Sequence, residues 1–231
     1  MRTRDDAVRS ERTAFMLISF LSLLGGCALV AVRFALTDRF FYFFLIWNLV
    51  LALVPYGISV AIFAVSRGAP GRRRIVLLSG LSLLWLLFYP NAPYIFTDLI
   101  HVVNRTFVRS GNDLLGKEIL LWFDLALCSA FAYLGHTVGL ISIDLVLRSL
   151  KGVVAPAIAR SLVAIAIAIA GFGIYVGRFA RFNSWDLIVS PIETAARILP
   201  WLVDANAILL SAAFSAFILI TYVVHHLARR T

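Results

Sequence analysis

Residues 40–65 read FFYFFLIWNLVLALVPYGISVAIFAV, a run that contains no charged side chain. A transmembrane helix needs about 20 mostly apolar residues, because each residue advances the helix by about 1.5 Å and the hydrocarbon core is about 30 Å thick. The run exceeds this length, although Asn48 and Pro55 lie within it. It therefore predicts a helix that crosses a lipid bilayer.

Further apolar runs occur along the rest of the chain. They predict an all-α fold, a polytopic transmembrane helix bundle of about six spanning helices with short interfacial helices, in which residues 1–231 form a single integral membrane domain. The other predicted spans are 14–32, 75–89, 119–141, 158–176 and 201–224. Residues 164–170 alternate Ala with Ile, but a lone strand in lipid would leave its backbone unpaired, so a helix is predicted there as well.

The composition excludes an ordinary soluble domain. Apolar residues make up 61% of the chain and charged residues 14%, whereas soluble domains contain about 45–50% and about 25%. The net charge is +9, but the basic residues lie between the apolar runs, so no nucleic-acid partner is expected. Cys27 and Cys128 lie inside apolar runs and are interpreted as packing residues. Lipid modification of Cys27 is the alternative, which the continuation of the apolar run to Val32 disfavours.

The third run ends at the sequence Pro90-Asn91-Ala92-Pro93. Proline lacks a backbone N–H and disfavours helical geometry in the residue before it, so we expect the helix to stop or break near Pro90. Residues 94–104 are then predicted to form a short helix, either interfacial or re-entrant. Tyr94, Asp98, His101 and Arg105 would share one face of it.

Two further local patterns concern helix packing and the membrane interface. Gly135-x-x-x-Gly139 and Gly173-x-x-x-Gly177 place small residues on one helix face, where neighbouring helices can approach closely. The sequence Ser190-Pro-Ile-Glu193 is typical of a capping box with proline at the first helical position. It predicts an interfacial helix over residues 191–199.

The distribution of Lys and Arg orients the bundle. Six spans place thirteen of these residues on the side of the two termini and eight on the other side. Because cytoplasmic loops are enriched in Lys and Arg, both termini are predicted to be cytoplasmic. The Pro90 region and the loop around Arg178 then emerge together on the outer face.

Several long motifs resemble a bacterial membrane-protein family known as domain of unknown function 1361. They are YPNAPYIFTDL at 89–99, WFD at 122–124, GIYVGRF at 173–179 and RFNSWD at 181–186. Tyr89 and Phe182 stand where members of that family often have Leu and Trp. The resemblance implies a multi-pass protein of the bacterial inner (cytoplasmic) membrane, and it supplies no activity.

The polar residues of these motifs define the candidate site. A charged side chain at the centre of a membrane helix costs about 2.5–3.5 kcal/mol, so such residues need partners or water. Asp124 is therefore expected to pair with Arg178 or Arg181. The candidate catalytic residues are Asp98, His101 and Asp124. The candidate substrate-binding residues are Arg178, Arg181, Asn183, Trp185, Asp186, Asn91 and Tyr94.

These residues suggest a function without fixing one. Two arginines three positions apart favour a phosphate or carboxylate, so an anionic lipid headgroup or lipid-linked phosphate is the expected partner besides the bilayer, and the protein would bind or modify it. A small-solute or ion transporter and a non-catalytic membrane scaffold remain alternatives. No cofactor is expected, although Asp98, His101, Asp124 and Asp186 could hold a divalent metal.

Other polar residues are interpreted structurally. His136 is expected to hydrogen-bond to a neighbouring helix, and Asp144 and Arg148 to form a local i, i+4 pair. His225 and His226, close to Arg229 and Arg230, are interpreted as a solvated helix end.

The predicted topology can be tested with alkaline phosphatase fusions. A fusion at Arg72 should be inactive and one at Arg181 active, because the enzyme folds only outside the cytoplasm. Activity of the Arg72 fusion would show that the orientation is the opposite of the predicted one.

Overall fold

A computed structural model describes residues 4–105, 116–151 and 153–229 of the chain and is 88% helical. Within these ranges, six helical stretches are long and apolar enough to cross a membrane. They are Asp5–Thr37, Phe43–Ser66, Arg72–Val103, Glu118–Leu150, Pro156–Ala180 and Ala205–Ala228. The predicted transmembrane bundle is confirmed. Arg2, Arg109 and Arg230, which enter the charge count, lie outside the described residues.

The individual helices are, in chain order, α1 Arg4–Thr37, α2 Phe43–Ser66, α3 Arg72–Phe88, α4 Asn91–Tyr94, α5 Ile100–Arg105, α6 Lys117–Leu150, α7 Pro156–Tyr175, α8 Asp186–Val189, α9 Pro191–Ile198 and α10 Ala205–Ala228. Two 3₁₀ segments, Ile95–Leu99 and Leu199–Val203, and a wide π turn, Val176–Ala180, connect some of them. Helix α9 lies where the capping sequence predicts it, but Ser190 makes no side-chain cap hydrogen bond. Residues 164–170 are helical, as expected.

Helix α2 lies at the centre of the bundle. It packs most extensively against α6, and also against α1 and α3. Its residues Leu45, Leu49 and Ala52 are fully buried. The outer surface is apolar: Phe20 on α1 is 63% exposed and Leu83 on α3 is 70% exposed. Large apolar side chains on the surface suit a protein whose surroundings are lipid.

Helices α7 and α10 form a second, tightly joined pair. A Cβ added at Gly171 of α7 would lie 2.1 Å from Ser215 Oγ and 2.4 Å from the Ser211 carbonyl oxygen of α10. Only the absence of a side chain at Gly171 permits this approach. The pair contacts α3 and α6 much less extensively than its two members contact each other.

The predicted break at Pro90 is replaced by a continuous helical path. Tyr89 has φ −54° and ψ −38°, and Pro90 has φ −55° and ψ −27°, both in the right-handed helical region. In a regular helix the Tyr89 carbonyl would accept from residue 93, which is proline. It accepts instead from the Ala92 N–H at 3.1 Å, one residue earlier. The tighter turn thus recovers a hydrogen bond that proline removes.

The short helix predicted at residues 94–104 is also different from the expectation. It is divided into the 3₁₀ segment Ile95–Leu99 and α5, and it packs into the bundle, because Ile95 and Val102 are buried against α2 and α6. One of the four residues predicted to share a helix face is Arg105, and its side chain lies outside the described part of the structure. That prediction can therefore be followed only for Tyr94, Asp98 and His101.

Residues 89–95, hereafter the Pro90 segment, pack against Gly135 and Gly139 of α6. A Cβ at Gly135 would lie 2.7 Å from Ile95 Cγ2, and one at Gly139 would lie 2.8 Å from Ala92 Cβ. Both distances are shorter than real Cβ contacts. The first glycine motif therefore packs against the proline-containing segment.

The glycines of α7 and its π turn contact the same segment. A Cβ at Gly173 would lie 2.7 Å from the Pro90 ring, and one at Gly177 would lie 3.2 Å from the Tyr94 ring. The two predicted close-packing motifs thus hold one element between them.

Replacement of Gly139 by alanine tests this packing. The new methyl group would clash with Ala92 Cβ. We therefore expect the free energy of unfolding to fall by about 1–3 kcal/mol, which would be measured as a lower Tm in detergent. Gly80→Ala on α3 is the matched control, because nothing lies within 4 Å of that Cβ. The control substitution should raise the free energy of unfolding by about 0.5–1 kcal/mol, because alanine has a higher helix propensity than glycine. Equal effects of the two substitutions would contradict the packing role.

Candidate functional site

Asp98 is the centre of a buried polar cluster. Its side chain is 2% exposed, and Asn48 Nδ2 on α2 donates to its Oδ2 at 2.7 Å. Arg178 Nη1 lies 3.7 Å from Asp98 Oδ1, and His101 Nε2 lies 4.0 Å from the same oxygen. We call Asp98, Asn48, His101 and Arg178 the Asp98 cluster. It joins α2, the segment before α5 and the end of α7 at one end of the bundle.

Arg178 owes its position to the π turn Val176–Ala180. The extra residue per turn widens the end of α7, and such turns occur frequently at functional sites. Arg181 follows it with φ 57° and ψ 35°, a left-handed conformation that is uncommon for a residue with a Cβ. This residue turns the chain away from α7. Its side chain is exposed.

A groove with a volume of about 400 Å³ lies next to the Asp98 cluster, and Asn48 of that cluster lines it. One wall comes from α2 and α3, including Leu51 and Leu86, and the opposite wall from α7 and α9, including Phe172 and Ile198. The Pro90 segment closes one side. The exposed side chain of Trp47 lies at its edge, so the groove is open to its surroundings.

Several candidate binding residues supply polar groups to this groove. Asn91, Tyr94 and Asn183 line it, together with Asn48 and Ser184. Asn91 Nδ2 donates to the Phe88 carbonyl oxygen at 2.9 Å and to Ser184 Oγ at 3.0 Å. The second of these bonds ties the Pro90 segment to the loop after the π turn.

The remaining loop candidates form a local turn. The Asn183 backbone N–H donates to Asp186 Oδ2 at 2.7 Å, and the Thr194 hydroxyl of α9 donates to the Asp186 carbonyl oxygen at 3.1 Å. Trp185 is half-buried immediately before α8. Asp186 thus shapes the loop instead of facing Asp98.

Asp124 does not pair with Arg178 or Arg181, and that expectation is wrong. Arg33 of α1 holds it with two hydrogen bonds, from Nε to Oδ1 and from Nη2 to Oδ2, the second at 3.0 Å. The same guanidinium donates to the Thr37 hydroxyl and lies 5.6 Å from the centre of the Tyr42 ring. Burial, and then the negative charge of Asp124, raise the pKa of the Tyr42 phenol above its ordinary value, so the phenol stays neutral.

The four residues considered for a divalent metal are not gathered around one point. Asp98 pairs with Asn48 and Arg178, Asp124 with Arg33, and Asp186 with the Asn183 backbone. Within the described ranges, no group of three or more His, Cys, Asp or Glu side chains is arranged to hold a metal ion.

His136, Asp144 and Arg148 have partners on other helices. His136 Nε2 lies 2.7 Å from the Thr221 hydroxyl of α10, which confirms the expected interhelical hydrogen bond. The expectation that Asp144 pairs with Arg148 is wrong. Asp144 contacts Arg229 at 2.8 Å and His225 at 3.1 Å, with His226 at 3.8 Å. Arg148 instead reaches Glu11 of α1 at 2.7 Å.

Sequence reasoning missed two features of the site. Asn48 is the one strongly polar side chain in the run 40–65, and a polar group in such a run needs a partner, which is the signal that could have linked it to Asp98. The groove walls carry no signal, because Leu86, Phe172 and Ile198 resemble any other lipid-facing residues.

Comparison with known proteins identifies the family. The family described as protein of unknown function (DUF1361) matches residues 47–221, which is well over half of the chain. The chain therefore belongs to this family. No curated protein and no solved structure matches it.

The Arg33–Asp124 pair can be tested by substitution. Asp124→Asn leaves the Arg33 guanidinium, which is 12% exposed, without its counter-charge. Breaking a buried pair in this way costs about 3–5 kcal/mol, so we expect a clearly lower Tm in detergent. Glu11→Gln is the control, because its partner Arg148 is 45% exposed and such pairs contribute about 0–1 kcal/mol. Equal losses would contradict the structural role of Asp124.

Proposed function

We propose that this DUF1361 protein binds an anionic amphiphile, a lipid or lipid-linked molecule with a phosphate or carboxylate head, in the groove beside the Asp98 cluster. The observation that carries the proposal is the position of Arg178 and Arg181, which are the chain neighbours of the lining residues Gly177 and Phe182 in an apolar groove of about 400 Å³. We call these two arginines, together with Arg197, the basic rim. Neither a fully polar solute nor a plain hydrocarbon suits both parts.

The apolar part would hold a hydrocarbon chain. Leu51 and Leu86 on one side and Phe172 and Ile198 on the other face the space between them. Since ligand sites are mostly apolar with a few polar groups that fix orientation, Asn91 and Asn183 would orient the ligand. Because the surrounding bilayer is already apolar, the walls would favour the chain through shape and van der Waals packing.

The basic rim would hold the head. Arg178 is fixed beside Asp98, and the exposed Arg181 follows in the same loop. The Arg197 guanidinium lies 4.7 Å from the centre of the Phe182 ring, and that ring lines the groove. Guanidinium groups bind phosphate and carboxylate with two parallel hydrogen bonds, which favours an anionic head of this kind.

If the protein also modifies its ligand, Asp98 and His101 are the proposed acid and base. The His101 side chain is 31% exposed, so it can exchange protons with water, whereas Asp98 is buried behind it. Asp124 is left out of this proposal, because Arg33 occupies both of its carboxylate oxygens.

We place the groove at the outer face of a bacterial inner membrane, with both termini in the cytoplasm. The support is the charge distribution: the bundle end opposite the Asp98 cluster carries more of the Lys and Arg residues. The ligand would then be a component of the outer leaflet.

Transport and a purely structural role are the competing functions. Transport would use the intramembrane groups Asn48, Asp124 and His136, but only Asn48 lines the groove and each has a partner within the bundle. Solute flux in liposomes by the wild-type protein would favour transport. A scaffold would tolerate loss of the basic rim without any change in bound lipid.

The head-binding role is tested with Arg178→Gln combined with Arg181→Gln. We expect the anionic lipid that copurifies in mild detergent, measured by mass spectrometry, to fall by on the order of tenfold, since two charge-assisted contacts are lost. Arg160→Gln combined with Lys151→Gln removes the same charge at the opposite end and should change nothing. Unchanged lipid in the first variant would refute the proposal.

The chain-binding role is tested separately with Leu86→Trp, which fills the groove from α3. Leu83→Trp is the control, because Leu83 lies on the same helix, is 70% exposed and does not line the groove. Binding of the copurified lipid should fall in the first variant alone. Equal lipid content in the two would exclude the groove as the chain site.

A further inference from the structure

A second, basic cavity lies at the opposite end of the bundle. It occupies about 710 Å³ between the beginning of α1 and the end of α2. Its lining includes Arg9, Arg12 and Thr13 from α1 and Arg67, which directly follows α2. Three guanidinium groups from two distant parts of the chain therefore line one space.

Among the residues that the structure describes, the arginines of this cavity are not matched by an equal number of carboxylates. Asp5 is the one acidic residue that lines it, so the arginines exceed the carboxylates. Among the described residues, Arg9, Arg12 and Arg67 make no ion pair, and the Arg67 guanidinium lies 4.7 Å from the centre of the Phe63 ring. A stacked guanidinium keeps its N–H groups free for an anion.

The surroundings of the cavity indicate a lipid as the source of that anion. Arg9, Arg12, Met16 and Phe20 follow one another at helical spacing along α1. Met16 is 59% exposed and Phe20 is 63% exposed, so the basic part of this face continues into an apolar part.

The position of the arginines along α1 agrees with a lipid as the ligand. Helix α1 has 34 residues and at about 1.5 Å per residue is far longer than the hydrocarbon thickness of about 30 Å. Because the apolar run begins only at residue 14, Arg9 and Arg12 would lie at the level of lipid headgroups.

We propose that Arg9, Arg12 and Arg67 form a binding site for the phosphate headgroup of an anionic membrane phospholipid, whose chains lie along Met16 and Phe20. The Thr13 hydroxyl is an additional donor to the phosphate. This site is independent of the groove beside the Asp98 cluster and lies at the other end of the bundle.

The test measures binding of phosphatidylglycerol to the purified full chain by titration in native mass spectrometry. Replacement of Arg9, Arg12 and Arg67 by Gln should weaken binding by on the order of 100-fold, from about fivefold for each basic residue. The control replaces Arg72, Arg73 and Arg74 by Gln, which removes the same charge next to the cavity without touching its lining. It should leave the affinity nearly unchanged.

Further measurements distinguish an anionic phospholipid from free inorganic phosphate as the ligand. Phosphatidylcholine should bind much more weakly than phosphatidylglycerol, and millimolar inorganic phosphate should not displace the lipid. Arg67→Gln alone should already weaken binding, since the site needs both parts of the chain. Equal losses in the two triple variants, equal binding of phosphatidylcholine, or displacement by inorganic phosphate would overturn the proposal. A normal Tm of each variant shows that its fold is intact.

Discussion

The close packing of the Pro90 segment between α6 and α7 is the constraint on which the rest of the structure depends. Two prolines weaken the helix, and a buried carboxylate follows at Asp98. Such a segment is tolerated inside a membrane only where surrounding protein satisfies its polar groups. Glycines on both neighbouring helices bring the backbones close enough to do so. The same approach places Arg178 beside Asp98 and opens the groove next to it.

Pairing of ionisable groups between distant parts of the chain is the second organising feature. Asp98 contacts α2 and the end of α7, Asp124 contacts α1, and Asp144 contacts α10. Each carboxylate joins helices that are far apart in sequence. In a bundle surrounded by lipid, apolar contact alone discriminates poorly between neighbours, because lipid chains are as apolar as leucine. These pairs therefore help to specify which helices meet.

The fold was largely predictable from the sequence, whereas the partners within the site were not. Apolar length identifies the spans because the bilayer imposes it, and the expected bond of His136 to another helix follows from the cost of an unpaired polar group. The partner of Asp124 was missed because Arg33 directly follows the predicted span 14–32, whereas α1 continues to Thr37. The break at Pro90 was overestimated, since local rules for proline do not include the tighter turn that recovers a hydrogen bond. The groove depends on how helices splay, which no local pattern encodes.

The attachment of α7 to α10 has a mechanical consequence. At Gly171 these two helices approach more closely than a residue with a side chain would allow, so a displacement of α10 would be passed to α7. Residues of α7 line the groove, whereas no residue of α10 does. A substitution on the α10 side of this contact, such as a larger residue at Ser215, would therefore act on the groove wall from outside the groove.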